Sequence, residues 1–131
     1  MKYFSRLTIL TLILFAFAQC NKDDNTQYNV YFSTTTSVTD STWTLFIDGT
    51  DNGLLANPTE DYSCSSPDST LSKYIFLQLS SGKYQIEAKD GNGETKFSGF
   101  LELKKDEVSG GGNVGGMQSQ PSGDCVVVKL F

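Results

Sequence analysis

From Tyr28 onward, hydrophobic and polar positions alternate with a period of two. Lys83 to Lys89 shows it most cleanly: Tyr84, Ile86 and Ala88 fall on one side, and Lys83, Gln85, Glu87 and Lys89 on the other. Successive side chains of a strand point to opposite faces, so this is a strand with one face in a core and one in water, as in antiparallel sheets. The same reading places a first strand from Tyr28 to Phe32. A second runs from Thr42 to Ile47, with Trp43, Leu45 and Ile47 on one face. Asp48 to Gly53 reads as a turn cluster before a short Leu54-Leu55 edge strand. Ile75, Leu77 and Leu79 share a face in the next strand, and Ser81-Gly82 turns the chain. Asp90-Gly91-Asn92-Gly93 is a hairpin turn, because Asp-Gly and Asn-Gly accept positive φ. Thr95, Phe97, Leu101 and Leu103 then line one side of a long strand in which Gly99 marks a bulge or close approach. Val126, Val128 and Leu130 define a terminal strand from Cys125 to Phe131. No window has a helical period. About seven short strands separated by turns predict an all-β, antiparallel β-sandwich.

The chain before Tyr28 is built differently. Lys2 and Arg6 precede an apolar or Thr run from Leu7 to Ala18. As a helix that run reaches about 18 Å, whereas a bilayer span needs about 20 residues. A positive start, a short apolar run and small residues behind it read as a secretory signal peptide. Ala16-Phe17-Ala18 allows a cut before Gln19, and a second reading cuts before Cys20. In the second reading the segment resembles bacterial lipoprotein signals, in which the cysteine thiol takes a diacylglyceryl group. Cys20-Asn21-Lys22-Asp23-Asp24 is similar to the Lys-and-acid signal that follows the lipidated cysteine in surface-exposed lipoproteins of Bacteroidota. That resemblance implies lipidation at Cys20, an export signal at Lys22, Asp23 and Asp24, and an outer-membrane, surface-exposed location. Two or more acyl chains make a stable anchor. The organisation is then residues 1–19 as signal peptide, 20–27 as lipidated cysteine and flexible tether, and 28–131 as the sandwich.

Cysteine count follows from the resemblance. The chain has three cysteines, and an exported protein with three leaves one odd. If Cys20 carries lipid, Cys64 and Cys125 remain as a pair, and export to an oxidising compartment makes them a disulfide. Charge narrows the partners. The whole chain carries ten Lys and Arg against fifteen Asp and Glu, a net of −5. Lys2 and Arg6 leave with the signal peptide and no acid does, so eight lysines face fifteen acids in the mature chain, a net of −7. That balance argues against nucleic acid as a partner. The chain has no histidine, which removes Ser-His-Asp, Cys-His and His-ligated metal chemistry and argues against an enzyme.

Thr44-Leu45-Phe46-Ile47-Asp48-Gly49, an apolar strand, and then Ser81-Gly82-Lys83-Tyr84-Gln85-Ile86-Glu87-Ala88 resemble prealbumin-like sandwich modules of the PEGA and carboxypeptidase-regulatory-like kind. In these a strand ending in Asp-Gly is followed by Gly-x-Tyr-x-Ile/Val opening a core strand. The resemblance spans Trp43 to Leu103 and implies a non-catalytic module.

Two segments read as long loops, residues 56–72 with Cys64, and the Gly-rich 109–124. Loops of such length are uncommon unless they are functional or disordered. Trp43, Tyr62 and Tyr74 are candidate ligand-stacking aromatics. Asp90 to Glu94 is similar to the middle of an EF-hand loop, but in that register the first position is Ala88 and the twelfth Gly99, so no metal and no cofactor is expected. The Asp40-Ser41-Thr42 and Asp68-Ser69-Thr70 triplets resemble O-glycosylation acceptors of Bacteroidota exports. The expectation is a lipid-anchored surface lipoprotein serving as a structural, adhesive or accessory binding module with a protein or glycan partner. The alternatives are a glycan or small-ligand binder using the two loops, and an exported protein inhibitor.

Overall fold

A computed structural model describes residues 25–35, 42–57 and 61–131. The described residues form nine strands: β1 (Gln27–Thr34), β2 (Thr44–Ile47), β3 (Thr50–Leu54), β4 (Ile75–Ser80), β5 (Gly82–Lys89), β6 (Thr95–Lys104), β7 (Glu107–Val114), β8 (Met117–Ser122) and β9 (Cys125–Leu130). A four-residue helix, α1 (Asp68–Leu71), precedes β4. The strands form a four-stranded sheet ordered β4-β1-β9-β8 and a five-stranded sheet ordered β3-β2-β5-β6-β7.

The two sheets pack face to face as an all-β sandwich, and the alternation decides which side chains lie between them. Val30, Phe32, Val126, Val128 and Leu130 from one sheet meet Leu45, Ile86, Phe97, Leu101 and Leu103 from the other, all fully buried. Trp43 and Ile47 complete the face that alternation assigned to β2.

Three expectations need correction. The Gly-rich segment 109–124 is not a loop but most of β7, the crossing to the other sheet, and β8. Glycine is normally depleted from strands because it packs nothing and loses backbone entropy. Here the missing side chains make room: a Cβ on Gly112 would sit 2.7 Å from the Phe97 ring. Second, the Asp48–Gly53 cluster is a tight turn only at Asp48 and Gly49, and its remainder opens β3. Third, the sandwich is not wholly antiparallel. β1 and β9 pair in parallel, from Asn29 opposite Cys125 to Thr34 opposite Leu130.

The registers give the sandwich two ends. β1 enters at Gln27 beside Ser80, and β9 begins at Cys125 beside Asn29. The β4–β5, β6–β7 and β8–β9 turns all lie at that entry end. The Tyr28 hydroxyl crosses the sandwich there, donating to the Lys104 carbonyl at 2.6 Å.

Gly99 is the close approach that its place in β6 predicted. The β6–β7 register shifts between Ser98 and Gly99, and a Cβ on Gly99 would strike the Gly111 carbonyl and lie 2.7 Å from Gly112 Cα. Backbone cannot swing aside as a side chain can, so Gly99→Ala is expected to cost about 1–3 kcal/mol of stability. Gly91→Ala, at a turn position with nothing within 4 Å, is the control and should be neutral or stabilising by up to about 1 kcal/mol. Urea denaturation of the two variants reads the difference, and equal midpoints would refute the close-approach account.

Candidate functional site

The segment from Asp61 to Tyr74 straps the outer face of the four-stranded sheet. Cys64 is bonded to Cys125 at the first residue of β9, with Cα atoms 5.9 Å apart. The bridge holds the strap at the entry end of the sheet. Tyr62 and Leu71 bury themselves against Val127, which faces outward from β9 between the inward Val126 and Val128. The Tyr62 hydroxyl donates to the buried Ser33 hydroxyl at 2.6 Å. Burial pushes the Tyr62 phenol up to about 12, so it stays a neutral donor. Tyr74 stacks on Tyr62 with ring centroids 3.8 Å apart.

A charge completes the strap. Lys129 projects from the outer face of β9 with a nearly buried side chain. Its ammonium donates to Asp61 Oδ1 at 2.7 Å and lies 5.3 Å from the centre of the Tyr62 ring. The hydrogen bond from Lys129, and then its charge, hold the Asp61 carboxyl below the ordinary aspartate value of 3.8. A sheltered ammonium needs such a partner, since desolvating an unpaired charge is costly.

The three candidate aromatics occupy different places in this fold. Trp43 is buried between the sheets and offers no ring to a ligand. Tyr62 is buried under the strap, and Tyr74 is half-buried with one ring face on Tyr62. Trp43 and the tyrosine pair belong to separate apolar clusters, so the three do not converge on one site. The physical reason is packing: all three rings already have partners. Cys20, Lys22, Asp23 and Asp24 lie outside the described residues, as do Asp40 and Ser41. Asp68, Ser69 and Thr70 form most of α1, with Asp68 and Ser69 exposed.

The turn carboxylates are engaged by backbone. Asp90 Oδ1 accepts from the Asn92 and Glu94 amides at 2.9 and 3.0 Å, and Lys96 lies 3.3 Å from Oδ2. The Glu94 amide contributes most to holding Asp90 below its ordinary value. Asp48 Oδ1 accepts from the Gln85 amide at 2.8 Å, and Asp51 Oδ1 from the Gly53 amide at 2.8 Å. Among the described residues, no three His, Cys, Asp or Glu side chains gather as metal ligands do.

Sequence reasoning missed the outer face of the five-stranded sheet. Phe46 and Phe100 point outward there, each beneath a lysine: Lys83 Nζ lies 4.3 Å from the centre of Phe100, and Lys89 Nζ 5.1 Å from that of Phe46. Phe100 floors a shallow groove of about 410 Å³, rimmed by Gln85, Ser98 and Asn113. The signal was legible. Phe46 and Phe100 are apolar residues at polar-phase positions, flanked by the inward Leu45 and Ile47 and by Leu101.

No known protein family matches the chain, and no curated protein or solved structure is significantly similar to it.

Two measurements test the strap. Replacing Cys64 and Cys125 together by Ala should lower stability by roughly 4 kcal/mol, the chain-entropy value for a loop of this length. The change is read as the denaturation midpoint against the oxidised parent, and an unchanged midpoint would reject a stapling role. Asp61→Asn should lower the Tm at neutral pH by leaving Lys129 without its carboxylate. Because the folded Asp61 value is depressed, its contribution is complete above 3.8 and is lost as pH falls through the lower folded value. The Tm gap between parent and variant should therefore close in acid, and a gap that persists there would contradict the pairing.

Proposed function

We propose that this chain is an exported, lipid-anchored surface lipoprotein whose sandwich is a non-catalytic structural, adhesive or accessory binding module. The observation that carries the reading is the partnering of the cysteines. Cys64 and Cys125 are bonded to each other. Cys20 is the remaining cysteine, and it stands between a short apolar run and a Lys-Asp-Asp triplet. A lipidated thiol accounts for the odd cysteine of an exported protein.

The fold supports the same reading. A sandwich whose strands begin at Gln27 leaves a short polar stretch, Asn21 to Thr26, between Cys20 and the first strand. An anchor there would turn the entry end, with its β4–β5, β6–β7 and β8–β9 turns, toward the membrane. The groove over Phe100 lies on a sheet face and supports the binding part of the reading. The non-catalytic part rests on the missing histidine and on turn carboxylates already held by backbone amides.

Labelled palmitate supplied to cells making the chain should enter it and be lost in Cys20→Ala, with the variant moving from the membrane to the soluble fraction. Label that survives Cys20→Ala would refute the anchor.

A further inference from the structure

The sandwich has four edge strands among the described residues, and they are not alike. A strand at a sheet edge shows unpaired amides and carbonyls, a template for another strand, and folds blunt it with charge, proline, glycine or a bulge. β3 carries Asp51 and Gly53, and its register with β2 shifts. β7 begins at Glu107, is rich in glycine, and shifts register against β6. β8 carries Pro121. β4 has none of these devices. Ile-Phe-Leu-Gln-Leu-Ser is uncharged and free of Pro and Gly, and it pairs with β1 in unbroken register from Ile75 to Ser80. On its far side no described strand pairs with it.

The side chains of β4 are as open as its backbone. Ile75, Leu77 and Leu79 face the core yet are only half-buried, unlike the fully buried Val30 and Phe32 beside them on β1. On the other face, Phe76 is 46% exposed, with its ring 5.1 Å from that of Tyr31. A strand able to close this edge must therefore be apolar at alternate positions on its inner face and uncharged throughout. β4 itself meets that description.

We infer that β4 is a self-association edge, on which a second copy of this chain adds its own β4 antiparallel about a two-fold axis. Opposite residues of an antiparallel pair share a face, which restricts the register. With Leu77 on the axis, Ile75 meets Leu79 of the other copy on the core side, and Phe76 meets Gln78 on the outer side. The two four-stranded sheets then run on as one, and each half-open row of Ile75, Leu77 and Leu79 is covered by the other. Charge favours this edge over the rest of the surface. The chain is net negative, so two copies repel, and β4 brings no carboxylate to the contact.

The test uses the full chain in the cells that make it. Phe76→Cys together with Gln78→Cys should be joined into a species of twice the chain mass by a short bismaleimide. Gln118→Cys together with Gln120→Cys, on the β8 edge, should give none. Phe76→Cys alone should also give the doubled species, because the two copies of this position are diagonal neighbours across the axis, and adding Gln78→Lys to it should abolish that species, while an intact Cys64–Cys125 bond and unchanged circular dichroism show that the fold is kept. Sedimentation of the purified chain should give twice the monomer mass, falling to the monomer in Gln78→Lys. A monomer at tens of micromolar, equal cross-linking from β4 and β8, or cross-links from β4 to a protein of another mass would each overturn the inference.

Discussion

The parallel pairing of β1 with β9 is the constraint on which the rest depends. These strands stand at opposite ends of the folded sequence, yet they form the centre of the four-stranded sheet, flanked by β4 and β8. Every strand between them is enclosed by that one contact. Closing so long a loop costs entropy before any contact rewards it. The Cys64–Cys125 bond acts on this cost, because it ties the middle of the chain to the first residue of β9. The Tyr28 hydroxyl, bonded to the Lys104 carbonyl, secures the first turn of β1 to the opposite sheet.

The strap adds a second layer to the same strand. Residues 126–130 of β9 are buried on both faces: Val126, Val128 and Leu130 in the sandwich core, Val127 and Lys129 under the strap. Burial on both faces is the usual condition of a strand in parallel pairing, and here a loop supplies the cover that a helix supplies in α/β folds. This explains why the sequence Val-Val-Val-Lys-Leu does not alternate cleanly. It also explains a lysine in the run: Lys129 reaches Asp61 at the strap's margin while its stem packs against the Tyr62 ring.

Much of this was legible from period alone. Strand faces in β2, β4, β5 and β6 follow from it, because alternation is a local property of the sequence. Partnership is not local. Nothing in Val30 or Val128 says that their strands lie side by side and parallel. The Gly-rich segment was misread for a related reason: what makes Gly112 fit a strand is the Phe97 ring beside it, some fifteen positions earlier in the chain. Trp43 is a different case. The alternation that groups it with Leu45 and Ile47 already places it in the core, and the prior that loop-proximal aromatics bind ligands is weaker than that grouping. For Tyr62 and Tyr74, the stacking that occupies them depends on the path of the strap, which no period encodes.

The position of the central pair matters most under the proposed anchoring. A lipid at Cys20 connects to the fold through the entry end of β1, so any pull between the membrane and a partner is delivered along β1. That strand is hydrogen-bonded on both sides, to β4 over Gln27–Phe32 and to β9 over Asn29–Thr34. Load along its axis acts across both rows together rather than opening them one bond at a time. β9 is in turn fixed by the disulfide at the same end of the sheet. The strand nearest the anchor is thus paired along both of its edges, while the groove over Phe100 lies on the other sheet. A tethered binding module needs this separation: the element that bears the tether is not one that must remain free to meet a partner.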